Sequence, residues 1–222
     1  MQKCNPNVLQ ISLRTGLCEI TCFKIMDKFF PYLEGVDYSK LLLNKEGRYS
    51  VTRRSESEQI IDCMYLKVGI LETKTVTDAT ACMGGDSINF SLHFEKVHAI
   101  EMNPENFSIL QNNTQVFGSK NIELYCGDST QIINWVSDVV YADPPWGGPS
   151  YRNEKNVELW MGKKRLDLWL EDLMSGPYHP KFVFLKIPFN YNTTRLSFLP
   201  KFVSMSEVKI QNFFLVCIEV LS

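Results

Sequence analysis

From residue 75 onward the sequence predicts an α/β fold, a mostly parallel sheet with helices on both faces. Two observations carry that expectation. Short apolar runs alternate along the chain with longer runs of helical periodicity, and strand–helix alternation is the pattern of a parallel sheet covered on both sides. The strand-like runs also end in acidic residues, glycines or prolines, and ligands of such sheets bind outside the carboxyl ends of the strands. With 222 residues, 45% of them hydrophobic, the chain can bury the core of one domain with a small appended lobe.

Residues 1–50 are expected to form a small N-terminal helical extension, and residues 51–222 the main domain. Ile20, Phe23, Met26, Phe29 and Phe30 recur at helical spacing, and Pro31 closes that segment. After a loop through Gly47 and the stretch Tyr49–Thr52, residues 58–67 read as a helix with Ile60, Ile61, Met64 and Tyr65 on one face. Strands are then expected at 75–77, 96–100, 122–125, 139–142, 182–187 and 213–220. Helices are expected at 86–93, 104–117, 131–135 and 166–174. The loops after the first four strands converge on one edge.

Composition narrows the function. A net charge of −2 and a pI near 6.0 disfavour wrapping of long duplex DNA, which wants a basic surface; a pocket for one nucleotide or an RNA end remains compatible. No apolar run is long enough for a membrane span, and the first residues lack a signal-peptide pattern. The seven cysteines are scattered without a Cys-x-x-Cys pair, and three histidines accompany them, so reduced thiols and no metal site are expected. The default expectation is a monomer in the cytoplasm, with the nucleus open to a protein of this size.

The most informative stretch is Asp143-Pro144-Pro145-Trp146-Gly147-Gly148-Pro149-Ser150-Tyr151, directly after Val139–Ala142. Two prolines fix φ and remove two backbone donors, leaving a stiff loop with free carbonyls. A carboxylate and a carbonyl there suit the two N–H bonds of a planar amine, while the indole offers a stacking face. That combination is what methyl transfer to an exocyclic amino nitrogen needs. The other loops fit a nucleotide. Asp78 through Asp86 holds the pair Gly84-Gly85, which lets backbone approach a ligand. Glu101 ends the second strand, where an acid typically accepts from ribose hydroxyls. Asp128 follows the third strand, placed either for an adenine amino group or as a helix N-cap. Asp78 and Asp86 flanking the glycines would repel a pyrophosphate and suit the ammonium and sulfonium of S-adenosylmethionine.

With these loops placed, the chain resembles the trimethylguanosine synthases, RNA cap guanine-N2 methyltransferases. The resemblance rests on Lys45–Thr52, Asp78–Asp86, Asn112-Asn113 ahead of Val116-Phe117-Gly118, Cys126-Gly127-Asp128, and Pro144-Pro145-Trp146-Gly147-Gly148-Pro149-Ser150-Tyr151. It implies a Rossmann-like class I methyltransferase with a seven-stranded sheet. Asp78, Thr80, Gly84, Gly85, Glu101, Asp128 and Asp143 would then serve the cofactor S-adenosylmethionine. Asp143, Pro144, Pro145 and Trp146 would form the catalytic loop. Trp146 would stack on the 7-methylguanine of capped RNA, with Tyr151 beside it and Asn113 near the guanine edge. Stacking is favoured because N7 methylation leaves a positively charged ring. The product would be 2,7-dimethylguanosine, extending to 2,2,7-trimethylguanosine.

The chain departs from the family at four positions. Thr80 and Cys82 stand where the family has an aromatic and a glycine, Asp143 where it commonly has Ser, and Phe189 where it has an Arg suited to cap phosphates. Lys186, Arg152 and Arg195 are the remaining phosphate candidates. Two alternatives stand beside this reading: an adenine-N6 or other exocyclic-amine nucleic-acid methyltransferase, and a cap-binding module without catalysis.

Overall fold

The computed structural model describes residues 26–221 together with the backbone of Gln10–Ile11 and Cys18–Glu19, which pair as a short antiparallel ladder. Ile20 and Phe23, part of the expected N-terminal helix, lie outside the described residues. Around Met26 the chain makes a single helical turn, with the Phe29 and Phe30 amides both donating to its carbonyl at 3.0 Å.

Seven strands form the main sheet: β1 (Thr75–Asp78), β2 (Lys96–Glu101), β3 (Ile122–Cys126), β4 (Val139–Ala142), β5 (Phe182–Ile187), β6 (Phe202–Ile210) and β7 (Phe213–Val220). Their spatial order is β6-β7-β5-β4-β1-β2-β3. The pairs β1–β2, β1–β4, β2–β3 and β4–β5 are parallel, whereas β7 runs antiparallel to both β5 and β6. The sheet is thus seven-stranded, Rossmann-like and mostly parallel, as the sequence leads one to expect. The strand order reverses at β1/β4, the crevice where ligands of such sheets bind.

The helices are α1 (Arg54–Val68), α2 (Gly85–Ser91), α3 (Pro104–Phe117), α4 (Ser129–Ile132) and α5 (Leu166–Ser175). α3 starts as its sequence dictates: Asn103 caps it by accepting from the Glu105 and Asn106 amides, and Pro104 occupies the first turn, where its missing N–H costs nothing. Side-chain alternation along β4 splits the core. Val139 and Tyr141 pack with Ile60, Met64 and Phe90 on one face, while Val140 and Ala142 pack with Leu166, Trp169 and Leu170 on the other.

Residues 26–50 contain only short helical turns, at Tyr38–Lys40 and Gly47–Ser50. Met26, Phe30, Tyr38, Leu41 and Leu43 are buried against Met83, Ile88, Ile109 and Phe117. This segment lies on the α2–α3 side of the main domain and shares its core. The strand that sequence patterning leaves out is β6. It is a sheet edge whose residues are mostly half-buried or exposed, so no apolar run marks it.

Candidate active site

The carboxyl ends of β1, β2, β3 and β4 open into one cleft of about 1100 Å³. Asp78, Thr80, Gly85, Glu101, Asp128, Asp143, Pro144, Pro145, Trp146 and Tyr151 all line it. Residues 46–53 form one wall. A small hairpin, Trp160-Met161 paired with Lys164-Arg165, reaches over from the opposite side and adds Trp160, Met161 and Gly162.

The acids have distinct surroundings. Asp78 is buried, accepting from the Ser87 hydroxyl at 2.5 Å and the Thr80 amide at 3.1 Å. Burial pushes its carboxyl up to about 8, the neighbouring Asp86 and Asp143 charges adding to the rise. Glu101 spans two loops, accepting from the Cys82 amide at 2.9 Å and the Asn103 amide at 2.7 Å. Burial raises it as well, against those backbone donors. Asp128 caps α4 through the Thr130 amide and hydroxyl, at 2.9 and 2.8 Å. It therefore fills the N-cap role and lines the cleft at once.

The loop after β4 is held at both ends. The Asp143 amide donates to Thr80 Oγ1 at 2.7 Å, so Thr80 ties the first loop to the fourth. Asn190 donates to the Tyr151 and Glu154 carbonyls at 2.8 Å each, anchoring the far end. Among the described residues neither Pro144 nor Pro145 has its carbonyl in a backbone or side-chain hydrogen bond. Trp146 meets the Tyr151 ring edge-on at 5.1 Å, and its indole Nε1 is buried without a partner among the described residues. Asp143 Oδ2 accepts from Lys186 Nζ at 2.7 Å. Burial raises the Asp143 carboxyl to about 6, with Lys186 holding it from going higher.

Several expectations are corrected here. Asn113 is not near a guanine edge. It is fully buried, its Oδ1 accepting from the Leu42 amide at 2.8 Å and its Nδ2 donating to the Leu42 and Met83 carbonyls at 3.0 and 2.9 Å. Its amide is spent on tying residues 41–43 to α3. Gly84 is not among the residues lining the cleft. Its φ is +93°, and an added Cβ would lie 2.8 Å from Leu110 Cδ1, so it serves the turn and the packing of α3. Gly85 lines the cleft, yet its missing Cβ makes room for Val51, 2.5 Å from where that atom would stand. Asp86 faces Thr52, Ser57 and Tyr141, whose hydroxyls donate at 2.5, 2.6 and 3.1 Å. Lys186 lines the cleft but its ammonium is held by Asp143 at 2.7 Å, and Arg195 pairs with Asp167 at 3.7 Å, outside the cleft lining. Arg152 remains in the lining.

Sequence reasoning missed the hairpin at 160–165 and the wall residues Arg48, Tyr49 and Arg53. A glycine between Trp-Met and Lys-Lys-Arg was the available signal for the hairpin. Nothing in the structure explains the departure at Cys82. Its φ is +49°, a left-handed backbone that glycine adopts without strain.

Among the described residues no cluster of His, Cys, Asp and Glu could hold a metal ion, and no helix is long and apolar enough to cross a membrane. The protein-family model described as RNA cap guanine-N2 methyltransferase matches residues 73–217. The chain is 26% identical over 211 residues to uncharacterized protein L320 of Acanthamoeba polyphaga mimivirus, covering 82% of each. It is 27% identical over 125 residues to the trimethylguanosine synthase of Schizosaccharomyces pombe, covering 53% of this chain and 51% of that protein, so it spans about half of that relative. Its fold is similar to the 16S rRNA N2 methyltransferase of T. thermophilus in complex with AdoMet and guanosine, with a TM-score of 0.57 and 11% identity over 74% of this chain and 43% of that one. Strand order, the loop after β4 and the extent of the family match agree: this chain belongs to the RNA cap guanine-N2 methyltransferase family.

Proposed function

We propose that the protein transfers methyl groups from S-adenosylmethionine to the exocyclic N2 of the 7-methylguanosine cap of RNA, giving 2,7-dimethylguanosine and then 2,2,7-trimethylguanosine. The observation that carries this reading is the Asp143–Trp146 loop, which sets a carboxylate and an indole side by side in the cleft bordered by Asp78, Glu101 and Asp128.

The residues present fit the cofactor. Acids at the tips of β1, β2 and β3 offer acceptors for an ammonium, a ribose and an adenine amine, and the cleft is roomy enough for a nucleotide beside a second base. When bound, S-adenosylmethionine supplies an electrophilic methyl group on a sulfonium. The chain supplies everything else. Asp143 Oδ1, which has no hydrogen bond among the described residues, and the Pro144 carbonyl accept the two N–H bonds of the target amine. Held so, the nitrogen would direct its lone pair into the cleft. The carboxylate would stabilise the positive charge that develops as the N–C bond forms and the methyl–sulfur bond breaks, after which the nitrogen sheds one proton to solvent, leaving adenosylhomocysteine. Fixing amine and methyl donor together supplies on the order of several kcal/mol. Trp146 stacks on the purine, and its unpaired Nε1–H is a donor awaiting an acceptor, a group that costs about 1–3 kcal/mol to leave unsatisfied.

One observation favours a second reading, methylation of an uncharged base such as adenine at N6. Lys186 Nζ lies 5.6 Å from the Trp146 ring centroid, and a cation beside the indole repels a positively charged 7-methylguanine. The Asp143 carboxylate at 2.7 Å from that ammonium cancels most of its field, which returns the balance to the cap. The deciding experiment is methyl transfer from labelled S-adenosylmethionine to 7-methylguanosine diphosphate, beside guanosine diphosphate and an adenine-containing oligonucleotide. Label at N2 of the 7-methylated nucleotide alone is expected. Label on adenine overturns the cap assignment.

A further inference from the structure

Lysine is among the residues least often buried, because stripping water from an ammonium costs several kcal/mol unless a partner compensates. Lys186 nonetheless stands one residue from the carboxyl end of β5, in the run Phe182-Val183-Phe184-Leu185-Lys186-Ile187, with its side chain 7% exposed. It has two polar partners, Asp143 Oδ2 at 2.7 Å and Thr52 Oγ1 at 3.0 Å. The aromatic rings of Trp146 and Phe213 flank it, with centroids 5.6 and 5.2 Å from Nζ. One oxygen of Asp143 is therefore committed to the ammonium, and the other is left for the cleft.

The charges around this pair are lopsided. Asp143 faces Glu56 from α1, Asp86 from α2, Asp78 at the end of β1 and the Tyr141 hydroxyl from β4, and Lys186 is the cation among them. Burial and the Asp86 and Glu56 charges favour the protonated form of Asp143; the ammonium opposes them. A protonated Asp143 could not accept both from Lys186 and from a substrate amine with charge–charge assistance.

We propose that Lys186 is a positioning residue of the methyl-transfer reaction: its ammonium, fixed between Thr52 and Asp143, keeps Asp143 a carboxylate and occupies Oδ2, so that Oδ1 is the oxygen offered to the target amine. The inference rests on the proposed role of Asp143. It goes beyond that role by naming the residue on which the ionisation of Asp143 depends.

Direct titration tests it without any substrate. In the full chain labelled with ¹³C at aspartate carboxyls, the Asp143 resonance (identified by its loss in Asp143→Asn) should titrate near the value of about 6 that its surroundings give it. Lys186→Met should raise that midpoint by about 1 to 3 pH units, the range an opposite charge at this distance controls. Lys186→Arg should restore most of it. In the methylation assay the Met variant should lose about tenfold in kcat at pH 7 and recover most of it by pH 9, as expected of a carboxylate whose midpoint has moved to about 8. A residue of merely structural importance would lose the same factor at every pH. An unmoved midpoint in Lys186→Met overturns the inference, as does a pH-independent loss of rate. Should the Met variant not fold, Lys186→Gln takes its place with the same reading: a raised midpoint supports the inference, and an unmoved one overturns it. Failure of the cap assignment would show instead as label on another base with the carboxyl titration unchanged.

Discussion

Gly162, in the hairpin that closes over the cleft, should tolerate no side chain. Its φ is +56°, and a Cβ built on it would lie 2.5 Å from Asp128 Oδ2 and 2.9 Å from both Oδ1 and Cγ. Carboxylate and methyl group cannot share that space, so in Gly162→Ala either the hairpin lifts or Asp128 rotates. Rotation takes Oδ1 from the Thr130 amide and hydroxyl, at 2.9 and 2.8 Å, and uncaps α4. Loss of such a cap costs about 1 kcal/mol. The left-handed backbone adds roughly 1–2 kcal/mol for alanine, offset by about 0.5–1 kcal/mol because the unfolded chain is less free. The sum is about 2 kcal/mol, or roughly 4–8 °C in Tm for a chain of this length. The second readout is specific to the site. Because Asp128 lines the cleft, the affinity for S-adenosylmethionine measured by calorimetry should fall about 5- to 30-fold, corresponding to about 1–2 kcal/mol. The exposed neighbour Lys163, replaced by Ala, is the control and should change stability by less than about 0.5 kcal/mol. A Gly162→Ala protein with unchanged Tm and unchanged cofactor affinity would refute the packing of the hairpin on Asp128.

Three further outcomes are expected. Asp78 binds its proton more tightly in the folded chain than in the unfolded one, its carboxyl being raised to about 8 by burial; stability of the ligand-free protein is therefore lost as pH rises from the ordinary carboxylate range through about 8. Urea unfolding at pH 6 and pH 8.5 should show this loss, Asp78→Asn should remove most of it while weakening cofactor binding, and parallel pH dependence in the two proteins would sink the argument. Asn113→Ala should cost about 2–3 kcal/mol in unfolding experiments, because three backbone groups lose a buried partner, with KM for 7-methylguanosine diphosphate unmoved; a raised KM at unchanged stability would return Asn113 to the guanine edge. Trp146→Ala should weaken binding of that nucleotide by about 1–3 kcal/mol, the range for one base on one aromatic ring, and leave cofactor affinity within about twofold; an equal loss for both ligands would show that the ring holds the loop rather than the base.

Burial on both faces is what made most of the sheet readable. Strands β4 and β5 lie in the middle of a covered sheet, so β4 is a continuous apolar run and β5 is one broken only by Lys186. The tip of β2 was readable for a related reason: Glu101 ends a buried strand at the crevice where ligands of such sheets bind. Edge strand β6 left no such mark, because Ser204, Ser206 and Lys209 face little that is apolar. Asn113 misled for a different cause. Its partners are Leu42, 71 residues away, and Met83, and no local pattern distinguishes an asparagine that clamps a distant segment from one that reads a base. Lys186 carried a signal that was present and under-used. A lysine interrupting a strand that is otherwise buried needs an anion close by, and Asp143 stands beyond the end of the neighbouring strand β4.

The same reasoning joins the N-terminal segment to the site. Gly85, read from sequence as an approach to a ligand, is small because Val51 packs where its Cβ would be. The next residue, Thr52, has one hydroxyl serving two partners: it donates to Asp86 at 2.5 Å and accepts from Lys186 at 3.0 Å. Asp86 takes two more hydroxyls, from Ser57 in α1 and Tyr141 in β4, and Lys186 goes on to Asp143. A connected set of polar contacts thus runs from residue 52 through the start of α2 to the loop that holds Trp146. Every member but the half-buried Asp143 is buried, and a buried network is stable only when every member is satisfied. Removing Thr52 would leave Asp86 and Lys186 each short of a partner inside a cluster that already holds more acids than cations. Val51 and Thr52 therefore belong to the wall of the cleft that keeps both the glycine turn and the Asp143 carboxylate in place.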